Sequence, residues 1–330
     1  MALSMTSEIR CEDVHIVKEF KEGKVWMLQS IDGDKLVIKH EQLHAEQLKD
    51  ANKVVKLVDP AAKFKVLTPS EHWELKNFAR IFLELVEYYE STLISNHPLS
   101  HTDKQAVESL RDALESADDD YPFYKMSYMT LRNLETAVVE RGKGNKEMVR
   151  DIVSALNNGD GMKKLGQIVA MDMFTDNRDR FYPEGVSATG IKIGPYSFDL
   201  EVCANVGNVL LALTDEGTFS VIGLDAVAPM SQLKTFKSPV GERDTGAAGW
   251  YHITDAKLRK AFAKNIISDL EKLLHPKKSK WSLKSKLGIS ATSRLEKGMV
   301  DGLQTIKTGL LRRSGGQLPT ELTQRLAMIR

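Results

Sequence analysis

The sequence predicts a mixed α+β fold in two parts, one small and built on an antiparallel sheet, the other larger and mostly helical. Three observations lead there. The chain has 330 residues, more than one compact domain usually holds, so two lobes are expected. Residues 13–40 read as three short strands separated by tight turns. Beyond residue 70 the apolar residues recur mostly at helical spacing.

The three strands are DVHIVKEF, KVWMLQS after the turn KEG, and DKLVIKH after the turn IDG. Val25 and Met27, then Leu36 and Ile38, alternate as a half-buried meander requires. EQLHAEQLKDANKVVKLV follows, with Leu43, Leu48, Val55 and Leu57 at roughly helical spacing until Pro60 ends the pattern. KFKVLTP is another strand, residues 70–120 are mostly helix, and YPFYKMSYM is a short strand entering a loop. From Arg132 to Asp176 the pattern is helical, broken at RGKGN and NNGDG. Its second helix, MKKLGQIVAMDMF, is apolar enough to be buried on most faces. Candidate strands lie around IKIGPYSFDLEV, and NVLLALT and TFSVIGLDAV form a hairpin through the turn DEG. A last long helix runs from about Thr254 to Leu274, with Leu258, Phe262, Ile266, Leu270 and Leu273 on one face.

Composition narrows the class. Hydrophobic residues at 42% and charged residues at 28% belong to an ordinary globular protein, and no apolar run is long enough to span a bilayer. Met1 to Arg10 lacks a basic flank followed by an apolar stretch, so no secretory signal of the usual type is expected. The two cysteines, Cys11 and Cys203, stand far apart without histidines at ligand spacing, which argues against a disulfide framework and a zinc site. A reducing, cytoplasmic compartment is expected, with export by a signal-less route left open. From His275 to Arg330, twelve Lys plus Arg face three Asp plus Glu, so the net +1 of the chain leaves −8 on residues 1–274. Such a tail suits an anionic membrane surface or an acidic partner, or it is simply solvated.

Phosphoryl transfer needs a cation near the phosphates, ligands for magnesium and a carboxylate that orients the attacking hydroxyl. The chain offers a candidate for each. Lys39 ends the third strand in VIKHE, with Glu46 on the following helix as its natural partner; the alternative is a solvated strand-end lysine. In MDMFTDNRDRF, Asp179 sits between Arg178 and Arg180, which would keep its carboxylate ionised; the alternative is a structural salt-bridge cluster at a helix end. In NVGNVLL, Gly207 lets the backbone turn and the Asn208 amide oxygen suits a hard cation, while Asn205 is the candidate to cap the turn. Asp225 follows the apolar strand VIGL with nothing nearby in sequence to neutralise it, which suits a metal ligand or a cap.

LGQIVAMDMFTDNRDRF, ANVGNVLLA and VIGLDAV, in that order, resemble the catalytic core of atypical protein kinases of the actin-fragmin kinase type. That family's pattern runs as an apolar helix, N-x-D-R, a variable insert, N-x-G-N and a strand closing on Asp. A looser similarity extends to type II phosphatidylinositol 4-kinases and HipA-type bacterial kinases. The likeness covers about residues 14–230 and is sharpest over 165–228.

The resemblance implies a bilobal, protein-kinase-like fold: an N-lobe over 1–128 with a helical insertion, a C-lobe over 129–275 and a basic, partly helical tail over 276–330. It makes Asp179 the catalytic aspartate, Asn208 and Asp225 the ligands of Mg2+ or Mn2+, and Lys39 with Glu46 the pair that orients ATP. Adenine would lie against KMSYMTLRNL, with Met126, Tyr128 and Met129 near its edge. Two departures stand out: the turn KEGK has a single glycine, Gly23, where a glycine-rich phosphate cover would lie, and Asp225 is followed by AVAP with no activation loop after it.

The implied activity is an ATP-dependent protein serine/threonine kinase acting on a protein substrate. A phosphoinositide kinase, a protein AMP-transferase and an inactive kinase-like binding module are the alternatives. In the tail, Leu295, Met299, Leu303, Ile306 and Leu310 share a helical face that suits a membrane, a partner groove or the body of the protein itself. Gly298, Gly302 and Gly309 weaken it as an autonomous helix. Trp281, among lysines, suits an interface or a core. Nucleic acid is not an expected partner, because no module signature accompanies the charge.

Overall fold

The computed structural model describes residues 3–40, 45–91, 101–117, 122–134, 136, 146–157, 160–175, 177, 180, 181, 191–193, 196–198, 206–214, 216–224, 253–274, 287–313, 323, 326, 327 and 329. Leu43, Arg178, Asp179, Cys203, Asn205, Asp225, Trp281 and the side chain of Glu46 lie outside them. The fold is α+β, and the chain divides into two compact units, residues 1–52 with 63–128 and residues 53–62 with 129–330.

The first unit is built on a five-stranded antiparallel sheet. Strands β1 (Ile16–Lys21), β2 (Val25–Gln29), β3 (Lys35–His40), β4 (Phe64–Val66) and β5 (Phe123–Ser127) take the order β1-β2-β3-β5-β4. Register sorts the side chains between two faces. Trp26, Ile38 and Lys125 share one cross-strand row, and Val25, Lys39 and Tyr124 form a neighbouring row on the opposite face. The Trp26 face carries the core, packed with Leu75 and Phe78 of helix α2 (Pro69–Ser91), Leu110 and Leu114 of α3 (His101–Ser116), and Leu3, Ile9 and Val14 from the N-terminal segment.

Helix α2 begins where TPSE supplies a reciprocal cap. The Glu71 N–H donates to Thr68 Oγ1 at 3.2 Å, and the Thr68 N–H donates to Glu71 Oε2 at 2.9 Å. Pro69, whose missing N–H costs nothing in the first turn, follows the cap. Between β3 and β4 runs α1 (Ala45–Val58), which continues from the first unit into the second. Asn52, on the portion in the first unit, secures β4 by accepting the Phe64 N–H at 3.1 Å and donating to the Phe64 carbonyl at 2.5 Å.

The second unit centres on α5 (Gly161–Thr175), preceded by α4 (Lys146–Asn157), and buried on nearly every side as its apolar sequence requires. Beside it lies a three-stranded antiparallel sheet, β10 (Phe219–Ile222), β9 (Leu210–Leu213) and β6 (Leu131–Asn133), in that order. Strand β6 corrects the helical reading at Arg132 and Asn133 alone: β9 offers it a partner, and pairing overrides the local pattern. A small hairpin joins β7 (Ile191–Ile193) to β8 (Tyr196–Phe198). Helix α6 (Ala256–Leu274) is capped by Asp255, whose carboxylate accepts the N–H groups of Lys257 and Leu258 at 2.9 and 3.0 Å.

The last long helix, α7 (Ala291–Arg313), lies within this unit, its face of Leu295, Met299, Leu303, Ile306 and Leu310 buried against α5 and α6. That face is core. The glycines at 298 and 302 are contact points: a Cβ on Gly298 would run into the Lys163 carbonyl, and one on Gly302 would lie 2.9 Å from Ala170 Cβ. Gly166 answers from α5, where a Cβ would meet the Leu295 carbonyl. The residues that weaken α7 as an isolated helix are those that let two backbones approach, a tertiary gain set against about 1 kcal/mol of propensity each. No helix among the described residues is long and apolar enough to cross a membrane.

Candidate active site

In the second unit the loop that leaves α5 is folded around one buried carboxylate. Asp172 is 0% exposed and sits in the last turn of the helix. Asn177 donates its Nδ2 to Oδ1 at 3.0 Å and its N–H to the Asp172 carbonyl at 2.8 Å. Arg180 forks onto the same carboxylate, Nε to Oδ2 at 2.9 Å and Nη2 to Oδ1 at 2.7 Å. Removing a carboxylate and a guanidinium from water is costly, and only such two-point geometry with added amide donors offsets it. The first and last residues of NRDR are therefore bound to one helix position.

Arg180 also donates from Nη1 to the Leu224 carbonyl. The loop after α5 and the end of β10 are thereby joined by a hydrogen bond between residues that adjoin Asp179 and Asp225 in the chain. A second buried carboxylate holds β10 one residue earlier: the Gly223 N–H donates to Asp59 Oδ2 at 2.6 Å. Asp59 Oδ1 pairs with Lys164 Nζ at 2.8 Å, and that ammonium also donates to the Val58 carbonyl at 3.1 Å. Gly223 and Leu224 are thus gripped from two sides, each by a group whose charge is balanced.

Asn208 closes a short 3-10 turn, Val206–Asn208, and is half-buried. The Val209 N–H returns to the Val206 carbonyl at 3.2 Å, and the Val209 carbonyl accepts the Leu134 N–H at 2.9 Å, so β6 and the turn together fix the entry to β9. The last pair of the hairpin is Leu210 with Ile222, so Asn208 and Leu224 stand at the same end of it, each two residues beyond that pair. Asn208, Leu224 and Arg180 are in this way brought to one end of the sheet.

In the first unit, Lys39 lies on the central strand, 9% exposed. A solvated strand-end lysine is excluded by that burial. Its row places it between Val25 and Tyr124, with Val37 and Met126 in the next row of the same face, opposite the α2–α3 core. Glu46 is on α1, the next element. Met126 is buried in β5, Tyr128 holds the Lys35 ammonium 5.1 Å over its ring, and Met129 is the first residue of the second unit after the crossing. The β1–β2 turn takes Gly23 to φ 62°, and the Gly23 N–H donates to Glu19 Oε1 at 2.7 Å. Ser109 of α3 donates to the same oxygen at 2.5 Å.

Three side chains that hold these parts lack a motif. Asp172 is a lone carboxylate inside the apolar run VAMDMF, and its signal is that such a charge needs a buried partner. Asp59 precedes Pro60 and reads as a helix stop. Lys125 carries the clearest misleading pattern: it looks like a strand-surface lysine, yet it is 0% exposed and pairs with Glu71 at 2.6 Å, also donating to the Ser7 carbonyl at 2.5 Å. Burial alone would raise the Glu71 pKa, but the Lys125 ammonium and the N–H groups of Thr68 and Ile9 overcome it and hold the carboxyl below its usual value.

No family model matches the chain, and neither a curated protein nor a solved structure does.

Proposed function

We propose that the chain is an ATP- and Mg2+-dependent phosphotransferase on a bilobal kinase-like fold, a protein serine/threonine kinase of the atypical, actin-fragmin-like type. The observation that carries this reading is the Arg180 to Leu224 hydrogen bond, because it ties the NRDR turn to the strand that closes on Asp225. In this reading Asp179 accepts the proton of the substrate hydroxyl, Asn208 and Asp225 hold the metal, and Lys39, oriented by Glu46, meets the phosphates. Met126, Tyr128 and Met129 border the adenine. Amide and carboxylate oxygens are the donors that Mg2+ or Mn2+ prefers, so the residue types fit the ion. Bound metal-ATP supplies the transferable phosphoryl group; the chain's own work is to orient it and to exclude water. A cytoplasmic setting, or delivery by a signal-less route, accords with this reading.

One observation favours a second reading, a kinase-like binding module without turnover. The only glycine amide of the β1–β2 turn is already bonded to the Glu19 carboxylate, where a phosphate cover would present free N–H groups. The test is ATP turnover with Mg2+ or Mn2+ by the wild type and by Asp225→Ala, followed by intact mass of the protein and of candidate substrates. Turnover by the wild type alone, with mass gained in phosphoryl steps, supports the kinase; AMP-sized steps name a nucleotidyl transfer on the same residues, and phosphorylated phosphoinositide names a lipid kinase. No turnover, with ATP still raising the melting temperature, leaves the binding module.

A further inference from the structure

Among the described residues strand β10 forms one edge of its sheet, and a cleft of about 710 Å3 lies along it, walled by α4 and the first turns of α5. The ladder decides which way the strand's main-chain groups point. The Thr214 N–H donates to the Thr218 carbonyl at 2.8 Å, so Thr218 with Thr214 is a hydrogen-bonded pair, and bonded and non-bonded pairs alternate along an antiparallel ladder. Phe219 with Leu213 and Val221 with Leu211 are accordingly non-bonded pairs. The Leu213 N–H, turned the other way onto the Thr130 carbonyl at 2.9 Å, agrees. The N–H and C=O groups of Phe219 and Val221 therefore point away from β9, toward the cleft that both residues line. The next group in that direction, the Gly223 N–H, is the one Asp59 accepts.

A row of strand donors and acceptors turned away from its own sheet is a template for another strand. The cleft selects its sign of charge. Asp151 and Asp160 stand exposed on its wall, whereas the Asp59 charge is balanced by Lys164, so the described residues of the lining carry an excess of two negative charges. Ala155 and Ser154 keep the α4 wall small enough for a backbone to approach.

We propose that this edge is a docking site for an extended, basic segment of a partner protein, which adds to β10 as a fourth strand and sets lysine or arginine side chains against Asp151 and Asp160. The site does not depend on the phosphotransfer reading, since none of its contacts uses Lys39, Asp179, Asn208 or Asp225. A partner held there would lean on the same strand that Asp59 holds at Gly223.

The probe is an acetylated, amidated heptapeptide of alternating lysine and valine, titrated against the full chain by calorimetry. Two further peptides carry N-methyl groups on alternate amides, one set on the odd and one on the even residues. Strand addition loses its bonds with only one of these sets, so one is expected to weaken binding about tenfold or more while the other leaves it nearly unchanged. Asp151→Asn with Asp160→Asn should weaken the lysine peptide several-fold, and Ala155→Arg, which fills the cleft, should abolish it. Circular dichroism and melting temperature verify that these variants fold; the methylated peptides need no variant. Equal loss with both methylated sets, equal binding of a glutamate–valine peptide, or no binding at about 1 mM overturns the proposal. So does a wild-type dimer in sedimentation that Ala155→Arg dissociates, since the edge would then belong to a second copy of the chain.

Discussion

Arg180 and Asp172 form a two-point ion pair in which the carboxylate is fully buried and the guanidinium nearly so, with N···O distances of 2.9 and 2.7 Å. Breaking one side of such a pair strands the other charge in a low-dielectric interior. Asp172→Asn is expected to cost about 3–5 kcal/mol in urea unfolding. The double variant Asp172→Leu with Arg180→Met should lose less than the sum of the single changes, because no orphaned charge remains. Additive losses would mean that the two side chains do not depend on each other.

The Glu71–Lys125 pair gives the first unit a specific acid sensitivity. Glu71 has a folded pKa below its unfolded one, so its contribution is complete above the unfolded pKa, near 4.5, and is lost as pH falls through the folded value. Glu71→Gln keeps the helix cap but removes the charge. It should lower stability by about 3–5 kcal/mol at pH 7 and flatten the pH dependence below the normal carboxylate range. Melting temperatures of both proteins between pH 7 and pH 3 measure this; parallel curves would refute it.

Helix α7 depends on glycine where it crosses α5. Gly298→Ala and Gly166→Ala each drive a methyl into backbone, the Lys163 carbonyl in one case and the Leu295 carbonyl in the other. Each should destabilise by about 1–3 kcal/mol despite alanine's better helix propensity. Gly309→Ala meets the half-buried Leu57 side chain rather than backbone, a group that can shift rotamer, and should fall well below the other two. Thermal unfolding of the three variants, in one buffer, ranks them.

If the phosphotransfer reading holds, Lys39→Ala and Asn208→Ala should each lower kcat by about a hundredfold. Asn208→Ala should also shift the metal dependence to higher Mg2+ concentration. A variant that keeps wild-type turnover removes its residue from the proposed site.

Glu19 competes with phosphate for the Gly23 amide. Glu19→Gln removes the negative charge while retaining an acceptor, and it is expected to tighten ATP binding, by about threefold to tenfold, through lost like-charge repulsion near the turn. An unchanged Kd would separate this turn from the nucleotide.

Periodicity and turn residues are enough to place the β1–β2–β3 meander, the buried α5, the β9–β10 hairpin and the apolar face of α7. The sequence also singled out Lys39, Asp179, Asn208 and Asp225 as chemistry-bearing positions, and of these Lys39 and Asn208 are among the described residues. Tertiary structure decided the rest. That β6 is a strand depends on β9 arriving beside it, an event about 80 residues away in the chain. That Lys125 is core and Lys39 faces the other side follows from the pleat and from which face α2 and α3 cover. Asp172 and Asp59 hold Arg180 and the end of β10 through hydrogen bonds spanning 8 and 164 residues. Periodicity reports only whether a residue faces water or core; the partner that makes a buried charge tolerable is chosen by the fold, and no local pattern carries its name.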